Sequence, residues 1–377
     1  MKRIFFTLLF FSLILAFSAC GPAGNTESQQ PAPQIEASPL PTDVPPTPFA
    51  PSSGQTRSLT VMTHDSFAVS EGVIQEFEKG NNVKVTFLKS GDAGAALNKA
   101  IISKDAPFAD VFYGLDNTFL SRALDANIFE TYASPLIDSI PDEFKLDLKN
   151  RALPVDYGDV CINYSKAFFD KNGVPVPASF DDLLKPDYKG MLVVENPATS
   201  SPGLAFLLAT IQKYGDPGYL DYWKALKANG VVVVDGWETA YYTNFSGSSG
   251  NGPQPLVVSY ASSPAAEVAF ATTQLSDSPT ASIDTAGTCF RQIEFVGILA
   301  GTKNRDLAEK FVDFMLDVPF QEGMPLSMFV YPVNPQAELP DVFTKYSKPA
   351  TDPASIPAEL PTKRDAWIEA WTQAVLH

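Results

Sequence analysis

From residue 58 onward, short apolar segments alternate with segments whose apolar residues recur at helical spacing. Residues 58–62, 83–88 and 109–113 are candidate strands, and residues 69–79 are a candidate helix between the first two. Alternation of this kind predicts an α/β protein with mainly parallel sheets flanked by helices. In such sheets ligands bind beyond the carboxyl ends of the strands, so the polar residues that follow each strand are the candidates for a site.

The middle of the chain repeats this alternation, with candidate strands at 190–195, 231–234 and 256–260. We therefore predict two α/β lobes with a ligand cleft between them. The predicted division is lobe 1 at 58–156 plus about 289–325, lobe 2 at 157–288, and a C-terminal helical segment at 326–377 that packs on the lobes.

The N-terminal segment has the composition of an export signal. Two basic residues precede an apolar run at 4–17, which is shorter than the ~20 residues that a spanning helix needs. We interpret residues 1–19 as a signal peptide and Cys20, which follows Ser-Ala as in a bacterial lipobox, as a lipidation site. An ordinary signal peptide with an incidental cysteine is the alternative. Residues 20–56 are rich in proline and predict a disordered tether, so we expect an extracytoplasmic protein anchored to the cell membrane by lipid.

Charge and histidine content narrow the functional classes. The chain has 27 Lys and Arg against 43 Asp and Glu, a formal net charge of −16, which argues against a nucleic-acid partner. Its two histidines, His64 and His377, offer little material for a Ser-His-Asp triad or a His-rich metal site. We therefore expect neither an enzyme nor a metal protein, and a secreted α/β hydrolase is the alternative.

The two cysteines of the predicted folded part lie near the places where the chain crosses between lobes. Cys161 follows the first crossing and Cys289 stands at the second. Crossing strands commonly run side by side, and exported proteins fold in an oxidising compartment. We therefore predict a Cys161–Cys289 disulfide, with two buried free thiols as the alternative.

Aromatic and acidic residues at the predicted strand ends favour a flat cationic ligand, because an aromatic face attracts positive charge. Trp237 stands at a helix start, Tyr260 ends the next strand, and Tyr331 lies near the C-terminus, whereas Tyr241 and Tyr242 are expected in the core. Carboxyl groups near the same edges belong to Asp65, Asp92, Asp116, Asp156 and Glu238.

Two turns, TSSPG at 199–203 and ASSP at 261–264, place paired serines at predicted helix starts. The N–H groups at a helix N-terminus favour anions. We therefore expect these turns to hold a phosphate or hydroxyl end of the ligand. Helix capping alone, which needs only Ser201 and Ser263, is the alternative.

From about residue 58 to its end, the chain resembles the thiamine-binding proteins that serve bacterial thiamine ABC importers. The stretches that match in order and spacing are THDSF (63–67), GLDN (114–117), VDYG (155–158), TSSPGL (199–204), GWETAY (236–241), SYASSPA (259–265) and YPV (331–333). The resemblance implies a two-lobed type II periplasmic-binding-protein fold and a monomer that uses no cofactor. Such a protein captures thiamine, a thiamine phosphate or a related vitamer and delivers it to a membrane permease.

Matched position by position, the resemblance implies that the ligand-binding residues are Asp92, Ala93, Ser200, Ser201, Trp237, Tyr260, Ala261, Ser262 and Ser263. Further candidates are His64, Asp65, Asp116 and Tyr331. His64 stands where relatives often carry a tyrosine, and Ala266 occupies a position that is aromatic in well-known members. Ferric-ion-binding and polyamine-binding proteins share the fold, and both ligands remain alternatives.

Overall fold

Strands and helices alternate through the folded part of the chain, as the sequence predicts. The computed structural model describes residues 56–248 and 251–377. The strands are β1 (Arg57–Thr63), β2 (Val83–Lys89), β3 (Val111–Asp116), β4 (Phe129–Glu130), β5 (Leu153–Ser165), β6 (Leu192–Glu195), β7 (Val232–Val234), β8 (Leu256–Tyr260), β9 (Thr280–Ile283), β10 (Phe290–Leu299) and β11 (Tyr331–Pro332). The helices are α1 (Glu71–Asn81), α2 (Ala93–Ile102), α3 (Leu120–Asp125), α4 (Lys166–Asn172), α5 (Ser201–Tyr214), α6 (Gly218–Ala228), α7 (Ser263–Ala269), α8 (Arg305–Leu316), α9 (Val318–Met328), α10 (Asp341–Tyr346) and α11 (Leu360–Val375).

The strands form one mixed sheet in the order β2-β1-β3-β10-β5-β8-β6-β7, with β4 on β10 and with β9 and β11 on β5. The outer strands are parallel: β1 pairs with β2 and β3, and β6 pairs with β7 and β8. We call β2, β1 and β3 the first half of the sheet, and β8, β6 and β7 the second half. The strands between the halves, β10 and β5, are antiparallel to each other and to their outer neighbours.

The long strand β5 belongs to both halves. Its first part, from Leu153 to Val160, pairs with β10, and its last part, from Val160 to Tyr164, pairs with β8. The chain passes from the first half to the second on β5 and returns on β10. These crossing strands run in opposite directions, which explains the antiparallel centre of a sheet whose outer parts are built by helical crossovers.

The helices are formed by residues that bury one face or all faces. On α8, the side chains of Leu307, Phe311 and Met315 recur every four residues and are buried against the first half of the sheet. Helix α5 is buried on all sides from Ser201 to Ile211, because it packs in the middle of the protein against β5, β6, β8 and β10. Its N-terminus is therefore held rigidly where the two halves of the sheet meet.

A disulfide joins the crossing strands. Cys161 on β5 and Cys289, just before β10, are linked with an S–S distance of 2.05 Å and a Cα–Cα distance of 4.3 Å. At the C-terminus, α11 packs on α6, and the ring of Trp371 meets the ring of Trp223 edge-on at 5.4 Å. The C-terminal helix is thus fixed to the part of the protein that carries the second half of the sheet.

The described residues belong to one compact unit. The predicted signal peptide at 1–19, the lipidation site at Cys20 and the tether up to residue 55 lie outside the described residues. Among the helices at 56–248 and 251–377, we find none with the length and apolar character needed to cross a membrane.

Candidate ligand-binding site

A cavity of about 840 Å³ lies where the two halves of the sheet face each other. From the first half it is lined by His64 after β1 and by Asp92 before α2. From the second half it is lined by Ser201 at the start of α5, by Trp237 after β7 and by Tyr260 at the end of β8. Small-molecule sites occupy about 300–1,000 Å³, so a vitamin-sized ligand can be enclosed here.

Trp237 forms one wall of this cavity and is held on three sides. Its indole ring stacks on Tyr241, with 5.0 Å between ring centroids and 17° between the planes. The indole Nε1–H donates a hydrogen bond to Ser259 Oγ at 2.9 Å, and the ring of Tyr260 stands edge-on at 6.4 Å. An indole fixed in this way presents a preorganised π surface, and binding to it costs little ordering of the side chain.

Asp92 connects the two halves of the molecule. Its Oδ1 accepts the backbone N–H of Ala93 at 2.8 Å at the start of α2, and its Oδ2 accepts the backbone N–H of Trp237 at 3.1 Å. Next to it, the N–H of Gly94 donates to the carbonyl oxygen of Thr199 at 3.0 Å. These bonds join the N-terminus of α2 to the turns that precede α5 and follow β7. The turn before α5 and the turn after β7 are therefore both held in fixed positions beside the cavity.

The floor of the cavity is a buried network centred on Glu294 of β10. Glu294 Oε2 lies 3.1 Å from the hydroxyl of Tyr113, and that hydroxyl lies 2.5 Å from Asp156 Oδ2. Glu294 Oε1 accepts a hydrogen bond from Gln292 Nε2 at 3.2 Å and lies 3.7 Å from His64 Nε2. Three crossing or neighbouring strands, β3, β5 and β10, thus contribute to one polar cluster beneath the ligand volume.

Burial and charge shift the protonation of these groups in opposite directions. Burial raises the pKa of Glu294, but the charge of His64 together with the Tyr113 hydroxyl and the Asp156 carboxyl lowers it, so the pKa lies below the usual value. Burial lowers the pKa of His64, but Glu294 together with the charges of Asp92 and Asp65 raises it, so the pKa lies above the usual value. Burial together with the charge of Glu294 raises the pKa of Asp156 well above its usual value. The two carboxyl groups therefore shift in opposite directions, Glu294 toward its ionised form and Asp156 toward its neutral form.

Two further buried carboxyl groups are close to this floor. Burial raises the pKa of Asp116 to about 6, although the hydroxyls of Thr118 and Ser201 oppose the shift. Burial also raises the pKa of Asp92, with the Ser200 hydroxyl and the charge of His64 acting in the opposite direction. A positive charge in the cavity would stabilise the ionised form of both carboxyl groups.

The charges that line the cavity are predominantly negative. Within the described chain, the lining residues include the carboxyl groups of Asp92, Glu238, Glu267 and Glu294, a single imidazole and neither Lys nor Arg. The Tyr241 hydroxyl donates to Glu267 Oε1 at 2.6 Å. Walls of this sign favour a cationic ligand and disfavour an anionic one.

Two glycines make room for the rings at the site. A Cβ atom on Gly114, which has φ +93°, would stand 2.2 Å from Cδ2 of His64. A Cβ atom on Gly158 would stand 2.8 Å from Cδ1 of Tyr260. Only glycine therefore allows β3 and β5 to come this close to the two side chains.

The mouth of the cavity is apolar. Phe270 and Phe329 meet edge-on at 5.3 Å, and Leu326 and Met328 stand on the same rim.

Tyr242 also lines the cavity and is 45% exposed. The expectation that Tyr242 lies in the core is therefore wrong, whereas Tyr241 is buried as expected. The π-helical segment Thr239–Asn244 turns these two neighbours in different directions.

The structure places the sequence-predicted residues in two groups. Those that line the cavity are His64, Asp92, Ser201, Trp237, Tyr260 and Ser263. Those that do not line it are Asp65, Ala93, Asp116, Ser200, Ala261, Ser262 and Tyr331.

Packing explains the second group. Ala93 and Ser200 are buried on either side of the bonds that join α2 to the turn before α5, and Asp65 accepts the N–H of Gly91.

Ala261 packs against the disulfide. Tyr331 stacks on Tyr157 at 5.3 Å between ring centroids. Asp116 accepts the N–H and hydroxyl groups of the turn that follows it.

The serine turn at 261–264 uses its hydroxyls inside the protein. Ser263 Oγ pairs with Ser259 Oγ at 2.9 Å, and Ser262 Oγ donates to the carbonyl oxygen of Phe329. Helix α5 begins at Ser201, so the residue at its N-cap is Ser200, and this side chain makes no capping hydrogen bond. One serine of each pair, Ser201 or Ser263, therefore lines the cavity, and the other, Ser200 or Ser262, lies behind its wall.

Three charged or aromatic residues that line the cavity were not predicted from the sequence: Glu267, Phe270 and Glu294. A signal for Glu294 is present in the sequence FRQIEF at 290–295, where three polar residues stand among apolar ones in a strand that the structure places at the centre of the sheet. Buried polar residues in a central strand indicate a site or a buried network. Glu267 and Phe270 carry no comparable local signal.

The two halves of one sheet enclose a cavity that is lined by rings and carboxyl groups. This arrangement defines a protein that binds a small molecule between two lobes. The chain belongs to the family of bacterial extracellular solute-binding proteins, whose profile matches residues 106–353. It is 33% identical over 298 residues to the thiamine-binding periplasmic protein of Salmonella typhimurium (strain LT2), with 78% of this chain and 86% of the relative covered.

Solved structures agree with this assignment. A structure described as a periplasmic thiamin binding protein superposes with a TM-score of 0.75 and 29% identity, and covers 87% of this chain and 99% of that chain. An apo ferric ion-binding protein A from Pasteurella haemolytica superposes with a TM-score of 0.67 at 18% identity, covering 84% and 98% of the two chains. The second likeness is one of fold alone.

Proposed function

We propose that this protein captures thiamine outside the cytoplasm and delivers it to the permease of an ABC importer. The observation that carries the proposal is the cavity itself, which combines a fixed indole face with four carboxyl groups and has neither Lys nor Arg among its described lining residues. Thiamine has two flat rings and a permanent positive charge on its thiazolium ring. The relatives named for thiamine binding support the same ligand.

Binding strength requires enclosure. Nanomolar capture corresponds to about −12 kcal/mol, whereas a single cation–π contact contributes about 0.5–2 kcal/mol. Trp237 therefore acts together with Tyr260 and with the carboxyl groups of Asp92 and Glu294, from which closure excludes water. The predicted ligand contacts that line the cavity are our candidates for direct contacts, and those buried behind it support them.

We infer that the two halves of the sheet belong to lobes that close on the ligand, as periplasmic binding proteins do. Lobe 1 comprises residues 58–156 plus about 289–325, lobe 2 comprises 157–288, and the segment 326–377 packs on them. The crossing strands β5 and β10 are the hinge. The bonds from Trp237 N–H to Asp92 and from Gly94 N–H to Thr199 span the two lobes, and both hold the closed form.

The protein acts by binding alone, as a monomer tethered by lipid at Cys20 through its proline-rich segment. A Cys20→Ala variant should move from the membrane fraction to the soluble fraction and lose labelling by a radioactive fatty acid. A Ser18→Thr variant, which keeps the cysteine, is the control. Retention of the fatty-acid label in Cys20→Ala would contradict the anchor.

The ligand is tested by calorimetry on the purified protein with thiamine, thiamine monophosphate, spermidine and ferric citrate. We expect thiamine to bind with the highest affinity. We also expect native mass spectrometry to detect thiamine or its phosphate released from protein that was purified without added ligand.

A polyamine is the second candidate, because carboxyl-lined walls also suit a linear polycation. In the described parts of the chain, no cluster of three or more His, Cys, Asp and Glu side chains is arranged to hold a metal ion. Tighter binding of spermidine or of ferric ion than of thiamine would refute the proposal.

A further inference from the structure

His64 and Glu294 form a buried charge pair at the floor of the cavity. Their side chains are 8% and 7% exposed, and His64 Nε2 lies 3.7 Å from Glu294 Oε1. Both residues also line the ligand volume. A ligand that reaches this floor therefore meets a carboxylate that already has a cationic partner.

Burial disfavours the protonated form of His64, and three acidic side chains around it favour that form. Glu294 faces it from β10, Asp92 from the N-terminus of α2, and Asp65 from its own turn, and each of these charges favours the imidazolium. From β3, the neutral ring of Tyr113 stands 6.1 Å away between centroids. The remaining partners of Glu294 are the neutral groups of Tyr113 and Gln292 and the carboxyl group of Asp156, whose pKa lies well above its usual value because of burial and the charge of Glu294. Its charge is thus balanced by His64.

We propose that His64 is an internal cation that the ligand displaces: the positively charged ligand takes over the pairing with Glu294, and the imidazolium releases its proton to solvent. The identity of the ligand as thiamine rests on the proposed function. One positive charge enters the cavity and one leaves it, so the charge of the floor is conserved. A thiazolium nitrogen is quaternary and has no proton to lose, so the proton comes from the protein.

The exchange makes His64 a specificity-determining residue. A neutral molecule of similar shape cannot replace the imidazolium as the partner of Glu294, whereas a cation can. Two positive charges in one buried pocket repel each other strongly, because the protein interior screens them poorly. The bound cation therefore lowers the pKa of His64, which lies above its usual value in the protein without ligand. Affinity should rise with pH through that raised pKa and then level off.

The charge pair can be tested without any ligand. The chain has two histidines, so proton NMR of the imidazole resonances in the ligand-free protein follows both through a pH titration. We expect the pKa of His64 to lie above 6.5, the usual value, and to fall in a Glu294→Gln variant. A His64 that titrates at or below the usual value in the wild-type protein would overturn the proposal.

The exchange is tested by calorimetry with thiamine at pH 7 in buffers of different ionisation enthalpy, which counts the protons released. We expect the wild-type protein to release protons when it binds thiamine. His64→Gln should lose most of this release, and the matched control His377→Gln should keep it. Glu294→Gln should weaken thiamine binding by about ten- to a hundredfold and also reduce the release.

The outcomes separate the two proposals. Thiamine binding without proton release, or with the same release in His64→Gln, would refute the exchange and leave the proposed function intact. A protein that binds no thiamine would refute the proposed function, and the exchange with thiamine along with it. Loss of proton release together with a changed pH dependence in His64→Gln is a result that a merely structural role of the imidazole would not give.

Discussion

Removing the indole of Trp237 tests the site most directly. In Trp237→Ala the stacked face toward Tyr241 and the hydrogen bond to Ser259 are both lost. In Trp237→Phe a ring remains, but the Nε1–H donor is absent. The backbone N–H that Asp92 accepts is present in both variants. The pair therefore separates the π surface from the hydrogen bond.

The expected loss of affinity follows from the contacts. A cation over a desolvated indole is worth about 2 kcal/mol, and about 50 Å² of apolar ring surface contributes about 1 kcal/mol more. Together these predict about a hundredfold weaker thiamine binding in Trp237→Ala. Trp237→Phe should lose less than about tenfold, because its smaller ring still offers a face to the cation. The lost hydrogen bond costs about 1 kcal/mol of folding stability in either variant.

Calorimetry is the appropriate assay, because the substitution removes a fluorophore. Trp367→Phe is the matched control: its indole Nε1–H donates to Asp216 at 3.0 Å, so the same kind of bond is lost away from the cavity. Circular dichroism should show that all variants are folded. Affinity of Trp237→Ala within threefold of the wild type, with Trp367→Phe also unchanged, would refute the role of Trp237.

Three further predictions follow from single features. Because burial raises the pKa of Asp116 to about 6 and a bound cation stabilises the carboxylate, thiamine affinity should fall as the pH drops below about 6; equal affinity by calorimetry at pH 5 and pH 7 would contradict this. Removing the Cys161–Cys289 bridge, which closes a loop across 128 positions, should lower the free energy of unfolding by up to about 5 kcal/mol. Denaturant unfolding of the double serine variant measures this loss, and an unchanged unfolding midpoint would count against the prediction. Gly114→Ala should displace the adjacent imidazole and lose affinity, whereas Gly173→Ala, also at positive φ but with open space around it, should only lose stability; similar thiamine affinities in calorimetry would oppose the steric argument.

Local sequence determined the helix starts and strand ends, and several of the candidate residues predicted at these positions line the cavity. Asp92, Trp237 and Tyr260 each follow or end a recognisable strand or turn. In an α/β fold these positions gather at one edge of the sheet without any further information. The prediction of an α/β fold needed nothing else.

Long-range pairing could not be read from the sequence. The insertion of β10 between β3 and β5 brings Glu294 next to Tyr113 and His64, residues that are far apart along the chain. No local pattern encodes which strands become neighbours, so the polar network was not anticipated. For the same reason Tyr331 was predicted at the site, although its pairing with β5 turns it onto Tyr157 instead.

Asp92 bonds to the main chain of residue 237 and not to its side chain. Every amino acid except proline, which has no backbone N–H, can make this bond at position 237. A substitution at this position can change the side chain that forms the cavity wall and keep the bond between Asp92 and the main chain. Saturation mutagenesis of codon 237 would therefore vary the wall of the cavity without removing this link between the two turns.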